Sequence, residues 1–133
     1  MAGGVDRSAG GVNVSDYGVK GFDRVDFTAG ECHLLARAIH RKTGWPVCAF
    51  IDRGFFDHHA FVRMPDGRYL DVEGVHSERE LRKRWSLPRA RIGECPPDFL
   101  LSEWGLEDHR PYRRRRASVV ADRLLAAVQG VAA

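Results

Sequence analysis

The stretch HAFVRMPDGRYLDVEG, residues 59–74, constrains this chain more than any other. Two alternating runs flank Pro65, Asp66 and Gly67, which puts Pro and Asp at the centre of a tight turn and Gly where a left-handed residue is needed. With a three-residue loop at 65–67, Met64 faces Arg68. Position 62 then pairs with 70, 61 with 71, 60 with 72 and 59 with 73. Side chains alternate across a sheet, so Ala60, Val62, Met64, Leu70 and Val72 share one apolar face. His59, Phe61, Arg63, Tyr69, Asp71 and Glu73 share the other. A slip of one residue would bury the charges and expose the aliphatics, so the register is well specified.

An aliphatic sheet face needs a cover, and TAGECHLLARAIHRKTG, residues 28–44, supplies an amphipathic helix. Thr28 and Glu31 fit a capping box, and Leu34, Leu35, Ala38 and Ile39 form the apolar stripe. Arg41 and Lys42 suit the negative end of the helix dipole, Gly44 provides the left-handed residue after the last turn, and Pro46 blocks continuation. The apolar run WPVCAFI, 45–51, reads as a buried strand and DRGFFDH, 52–58, as a loop. A second capping box, Ser77 with Glu80, starts a short helix that Pro88 limits, and a further short helix fits 96–105. From about Tyr112 the pattern is helical, with Ala117, Val120, Ala121, Leu124 and Val128 on one face. The fold class is α+β: an N-terminal helix carrying Cys32, packed on a small antiparallel sheet of about three strands, then C-terminal helices. Residues 1–12, rich in Gly, read as a flexible start and 13–27 as an irregular lead-in. Residues 13–133 read as a single domain, with 28–75 its core and 109–133 a basic helical segment.

The 133 residues suit one domain, and 44% hydrophobic content suits a globular chain. No apolar run approaches the roughly 18–20 residues of a membrane span, so no membrane partner is expected. The first residues lack a basic segment followed by an apolar one, which predicts no secretory signal. With three cysteines and no export signal, reduced thiols in the cytoplasm are expected. The net charge of +3 is unevenly placed, because HRPYRRRRASVVADR gathers Arg113, Arg114, Arg115 and Arg116 at a helix start. Cations there oppose the dipole rather than stabilise the helix. A solvated basic face or a surface for an acidic partner, protein or nucleic acid, are the readings open to them.

Cys32 sits in the first turns of its helix, where the dipole and free N–H groups favour the reactive thiolate. It shares a face with Leu35, Ala36 and Ile39, so it points into the protein body. A buried structural cysteine would sit in the same place, and the helix alone does not decide between them. The hairpin adds the missing information. A cysteine nucleophile needs a base, and the base needs a third group to hold its ring and tautomer. His59 has Asp71 as a diagonal neighbour on one face, with Glu73 opposite as the reserve candidate. His58 would lie among aliphatics with no carboxylate.

A Gly-x-Cys step opening a helix, then HAFV opening a strand, then YLDVEG on the next, resembles the papain-like fold, and its transglutaminase-like branch most closely. Gly30 and Cys32 match the first element, His59 with Ala60 and Phe61 the second, and Asp71 the third, over residues 28–75. The resemblance implies a Cys32–His59–Asp71 triad in a small cysteine hydrolase or acyl-transfer enzyme. Its substrate would be an amide or isopeptide-type bond of a protein or peptide, cleaved as by a protease, amidase or deamidase. The Cys32 backbone N–H would be one oxyanion donor. Asn13, Ser15 and Tyr17 are candidates for the second. No metal or organic cofactor is required.

The alternative reading is a non-catalytic binding or assembly protein on a degenerate papain-like scaffold. Its basic C-terminal helix would contact a protein or nucleic-acid partner. Zinc is disfavoured, because Cys32, His33, His40, Cys48, His58, His59 and Cys95 show no paired-ligand spacing. Cys48 reads as core, Cys95 as a loop residue, and Trp45, Trp85 and Trp104 as core or platform residues.

Overall fold

The computed structural model describes residues 27, 32–96 and 111–132. The flexible start, the lead-in other than the buried Phe27, the capping box of Thr28 and Glu31, Gly30 and nearly all of 96–105 lie outside them. Among the described residues there are three helices, α1 (Cys32–Thr43), α2 (Glu78–Arg84) and α3 (Pro111–Ala132). There are five strands, β1 (Val47–Asp52), β2 (Phe55–Arg63), β3 (Tyr69–Asp71), β4 (Gly74–His76) and β5 (Arg91–Glu94). The strands form one sheet in the order β4-β3-β2-β1-β5, with every pairing antiparallel. The architecture is α+β, with five strands where three were expected.

α1 stops where the sequence says it must. Gly44 takes φ +78°, and its N–H donates to the His40 carbonyl at 2.7 Å, closing the last turn. Leu34, Leu35, Ala38 and Ile39 are buried against β1, β2 and β3 on one side and α3 on the other. α3 returns Ala117, Val120, Ala121, Leu124 and Val128 to the same core, and Lys42 reaches across to Asp122 at 3.0 Å. The aliphatic sheet face, including Ala60, Val62, Met64, Leu70 and Val72, completes this core.

The expected turn at 65–67 is present. Met64 N–H donates to the Arg68 carbonyl at 2.7 Å, Gly67 takes φ +89°, and Val62 pairs with Leu70. The ladder is shorter than the alternation implied: only 62–70 and 63–69 pair, and the expected pairs at 61–71, 60–72 and 59–73 do not form. The cause is a second turn at Val72 and Glu73. Asp71 Oδ1 accepts the Glu73 N–H at 2.8 Å, Gly74 takes φ +116°, and the chain doubles back as β4. Glu73 is thus at a turn rather than opposite His59.

Two further expectations are corrected. Residues 52–58 are no loop, because Arg53 and Gly54, with φ +53° and +85°, make a two-residue turn and β2 begins at Phe55. Two successive left-handed residues match the twist of a hairpin, and an Arg in the first of them hid the signal. β5 was not anticipated; it gives the outer edge of β1 a partner, with Cys48 opposite Glu94 and Arg63 bonding the Glu94 carboxylate.

The second sheet face is covered too. Cys48, Phe50, Phe61, Tyr69 and Leu81 form a smaller core, bordered by Trp85, Leu87, Ala90 and Ile92. α2 supplies Leu81, and its N-terminus carries the expected capping box: Ser77 Oγ accepts Glu80 N–H at 3.1 Å and Glu80 Oε1 accepts Ser77 N–H at 2.7 Å.

Candidate active site

The site forms where the β1–β2 ladder breaks. Ala49 pairs with Ala60, but the next residue of β1, Phe50, pairs with Asp57. His58 and His59 are therefore extra residues on β2, and His58 takes φ +68°. Such a bulge re-aims side chains locally. His58 swings out to solvent, where its Nε2 lies 2.9 Å from Asp52 Oδ2. This corrects the expectation that His58 lies among aliphatics away from any carboxylate. His59 turns inward and is completely buried.

The His59 Nε2–H donates to Asp71 Oδ2 at 2.8 Å. Its ring stacks on Trp85, with centroids 4.3 Å apart and planes 20° from parallel, and leans on Phe61 at 5.6 Å. Asp71, 4% exposed, uses its other oxygen for two donors, the Glu73 N–H at 2.8 Å and the His76 Nε2–H at 2.9 Å. Burial alone would raise its pKa, but the bonds from His59 and His76 and their charges hold it far below the usual carboxylate range. Cys32, also 4% exposed, is brought to the same place by the start of α1, and its Sγ accepts the Ala60 N–H at 3.3 Å.

The pKa of His59 is the balance of these contacts. Burial pushes it down, while the bond to Asp71, the interaction with Cys32 and the charges of both push it up, to about 9. Asp71 occupies Nε2, and Nδ1 is buried without a conventional hydrogen bond, which leaves that nitrogen for the Cys32 sulfur. A thiol, an imidazole and a carboxylate gathered in this way have the chemistry to act as nucleophile, base and orienting group.

Cys32, His59 and Asp71, the three residues singled out in the sequence, come together. Glu73 enters through its backbone N–H, while Asp71 takes the imidazole. His76 and Trp85 were missed as members of the site. The signal for His76 was Gly74, which follows the turn at Val72 and Glu73 that folds β4 back and sets His76 diagonal to Asp71. Trp85 follows α2, whose capping box was legible, but nothing local says which ring it meets. Asn13, Ser15, Tyr17 and Trp104 lie outside the described residues.

The other cysteines sit elsewhere. All three are free and buried, and burial pushes Cys48 up to about 11 and Cys95 up to about 12. Cys48 belongs to the second core, as expected, while Cys95 lies in the loop just past β5, as expected, with its side chain buried in the first core. Arg113 of the basic cluster lies over the Phe27 ring at 5.7 Å. Among the described residues, no group of three or more His, Cys, Asp or Glu is placed to hold a metal, and no helix is long and apolar enough to cross a membrane. Comparison with protein-family models, curated proteins and solved structures finds no match.

Proposed function

We propose that this chain is a small cysteine-dependent hydrolase or acyl-transfer enzyme acting on amide or isopeptide-type bonds, on a papain-like, transglutaminase-like core. The observation that carries the reading is the His59–Asp71 bond of 2.8 Å formed beside a sulfur that already accepts the Ala60 N–H. A cation next to a thiol favours the thiolate, and His59 keeps its proton to about pH 9.

In the proposed reaction the Cys32 thiolate attacks the substrate carbonyl, and the carbonyl electron pair moves onto oxygen. The Cys32 N–H, at the helix start, donates to that oxyanion. His59 gives its proton to the departing amine as the C–N bond breaks, leaving a thioester on Cys32. His59 then takes a proton from the incoming water or amine, whose attack breaks the C–S bond and releases the Cys32 thiolate, restoring the pair with protonated His59. Asp71 fixes the imidazole throughout, with His76 and the Glu73 N–H holding Asp71. Three free cysteines suit a reducing cytoplasm, and the substrate is a protein or peptide.

The test is the rate of iodoacetamide labelling at Cys32 against pH, in wild type and in His59→Ala. Fast labelling near neutral pH that slows in the variant supports the reading. An inert Cys32, or equal rates in both proteins, sinks it. That outcome would favour a non-catalytic binding or assembly protein on the same scaffold, which the near-complete burial of Cys32, His59 and Asp71 also suits.

A further inference from the structure

α2 and the chain that follows it carry a basic surface distinct from the Arg113–Arg116 cluster. A cleft of about 380 Å³ lies between the β1–β2 turn, with Arg53, and the segment holding Arg89 and Arg91. A second, of about 490 Å³, is lined by Arg79, Arg82 and Lys83. Ser86 and Pro88 line both, so the two clefts adjoin. Arg53, Arg79, Lys83, Arg89 and Arg91 are exposed, and none has an ion-pair partner among the described residues. The nearby acids are already engaged: Glu78 bonds Arg82, Glu80 caps Ser77, and Asp52 bonds His58.

This surface is tied to the site. Arg82 Nε–H donates to the Ala90 carbonyl at 2.9 Å, which holds α2 against the following segment and fixes the walls of the clefts. Ser86, shared by both clefts, directly follows Trp85, whose ring lies on His59. A chain lying in the clefts would pass within one residue of the ring that covers the catalytic imidazole.

We propose that the two clefts dock an acidic stretch of the polypeptide substrate, its Glu and Asp side chains meeting Arg79, Lys83 and Arg89. This rests on the proposed cysteine chemistry, which supplies the reason for a peptide beside His59. Nucleic acid fits less well: neither cleft is lined by an aromatic ring among the described residues, and stacking on such rings is how single strands are usually held. Charge complementarity of this kind chooses partners and speeds encounter.

The test measures fluorescence anisotropy of labelled Glu-Gly, Gln-Gly and Lys-Gly repeat peptides with the Cys32→Ser protein, which binds without turnover. The Glu-Gly peptide is expected to bind most tightly and to weaken with added salt. Arg79→Glu/Lys83→Glu is expected to weaken it about ten-fold, and Arg41→Glu/Arg115→Glu, an equal charge change on the opposite layer, about two-fold at most. Circular dichroism checks folding, and Arg79→Gln/Lys83→Gln replaces the reversal should that variant unfold. Equal losses in the two double variants, equal binding of the Gln-Gly peptide, or tighter binding of an oligonucleotide of matched charge would overturn the proposal. Iodoacetamide labelling of wild-type Cys32 is read in parallel. Loss of binding specificity with normal labelling refutes the docking surface alone, and inert Cys32 with specific binding refutes the chemistry alone.

Discussion

Replacing Asp71 by Asn probes the site with almost no change of shape. The Asp71 carboxylate accepts three hydrogen bonds, from His59, His76 and the Glu73 N–H. An amide keeps one accepting oxygen and turns the other position into a donor. With the oxygen toward His59, the amide N–H₂ meets the donors of His76 and Glu73. Reversed, it meets that of His59. At least one of these groups must give up its bond or change tautomer, and the buried negative charge is gone. The pKa of His59 then falls, because burial still pushes it down and only the interaction with Cys32 still pushes it up.

The rise of His59 from 6.5 to about 9 corresponds to about 3 kcal/mol held in the folded state. A pKa raised by folding stabilises fully below its unfolded value and ceases to do so as pH climbs through the folded one. The contribution of His59 is therefore complete below about pH 6.5 and lost by about pH 9. Asp71 behaves in the opposite sense: its pKa is lowered, so its contribution is present above 3.8 and lost as pH falls further. The stability gap between wild type and Asp71→Asn is thus widest from about pH 4 to 6.5, at about 3 kcal/mol, and narrows toward pH 9. Urea unfolding across this range measures it, with the His59 ring followed by nuclear magnetic resonance. Turnover on an amide substrate is expected to fall about 10²–10⁴-fold, as for the loss of a correctly held general base. A gap independent of pH, or a variant His59 still titrating near 9, would refute the reasoning.

Three other perturbations separate the parts of the site. His76→Ala leaves a buried carboxylate oxygen with one donor fewer and is expected to cost about 1–3 kcal/mol; His76→Gln, which can donate an N–H to Asp71, is expected to recover part of this and of the His59 pKa in the same titration. Trp85→Ala removes the ring stacked on His59, with an expected loss of about 2 kcal/mol in chemical denaturation and faster exchange of the His59 ring proton with water; unchanged exchange would mean that the ring does not shield the imidazole. Labelling with a small thiol reagent followed by peptide mapping is expected to modify Cys32 well before Cys48 or Cys95, whose thiols burial pushes up to about 11 and 12.

Much of the fold was legible because its signals are local. The end of α1 at Gly44, the capping box of Ser77 and Glu80, and the turn around Gly67 each need only a few consecutive residues to specify them. Alternation then sorted Ala60, Val62, Met64 and Leu70 from Phe61 and Tyr69 into the two cores. The fifth strand was not legible for the complementary reason. Arg91–Glu94 is short, and its one strongly apolar side chain, Ile92, is only half-buried. What makes it a strand is the unfilled edge of β1, a tertiary fact with no local trace.

The candidate site was legible in its residues but not in its geometry, and the difference lies in two irregularities. Perfect alternation predicted His59 opposite Glu73, with Asp71 diagonal, on a continuous ladder. The chain instead breaks that ladder twice, with the bulge at His58 and His59 and the turn at Val72 and Glu73. Each break uses a backbone state that an ordinary strand avoids, φ +68° at His58 and +116° at Gly74. The first break divides two adjacent histidines between solvent and core, so that one pairs with Asp52 at the surface and the other with Asp71 inside. The second carries His76 back onto the same carboxylate. A non-glycine residue at positive φ is costly, of order 1–3 kcal/mol, and is kept where surrounding contacts over-determine it. At His58 those contacts are the bonds that hold His59 against Asp71, so a substitution that favours the left-handed backbone, His58→Gly, is expected to stabilise the fold while leaving the His59–Asp71 pair intact. A His59 titration unchanged in that variant, with a raised unfolding midpoint, would show that the bulge serves its neighbour rather than His58 itself.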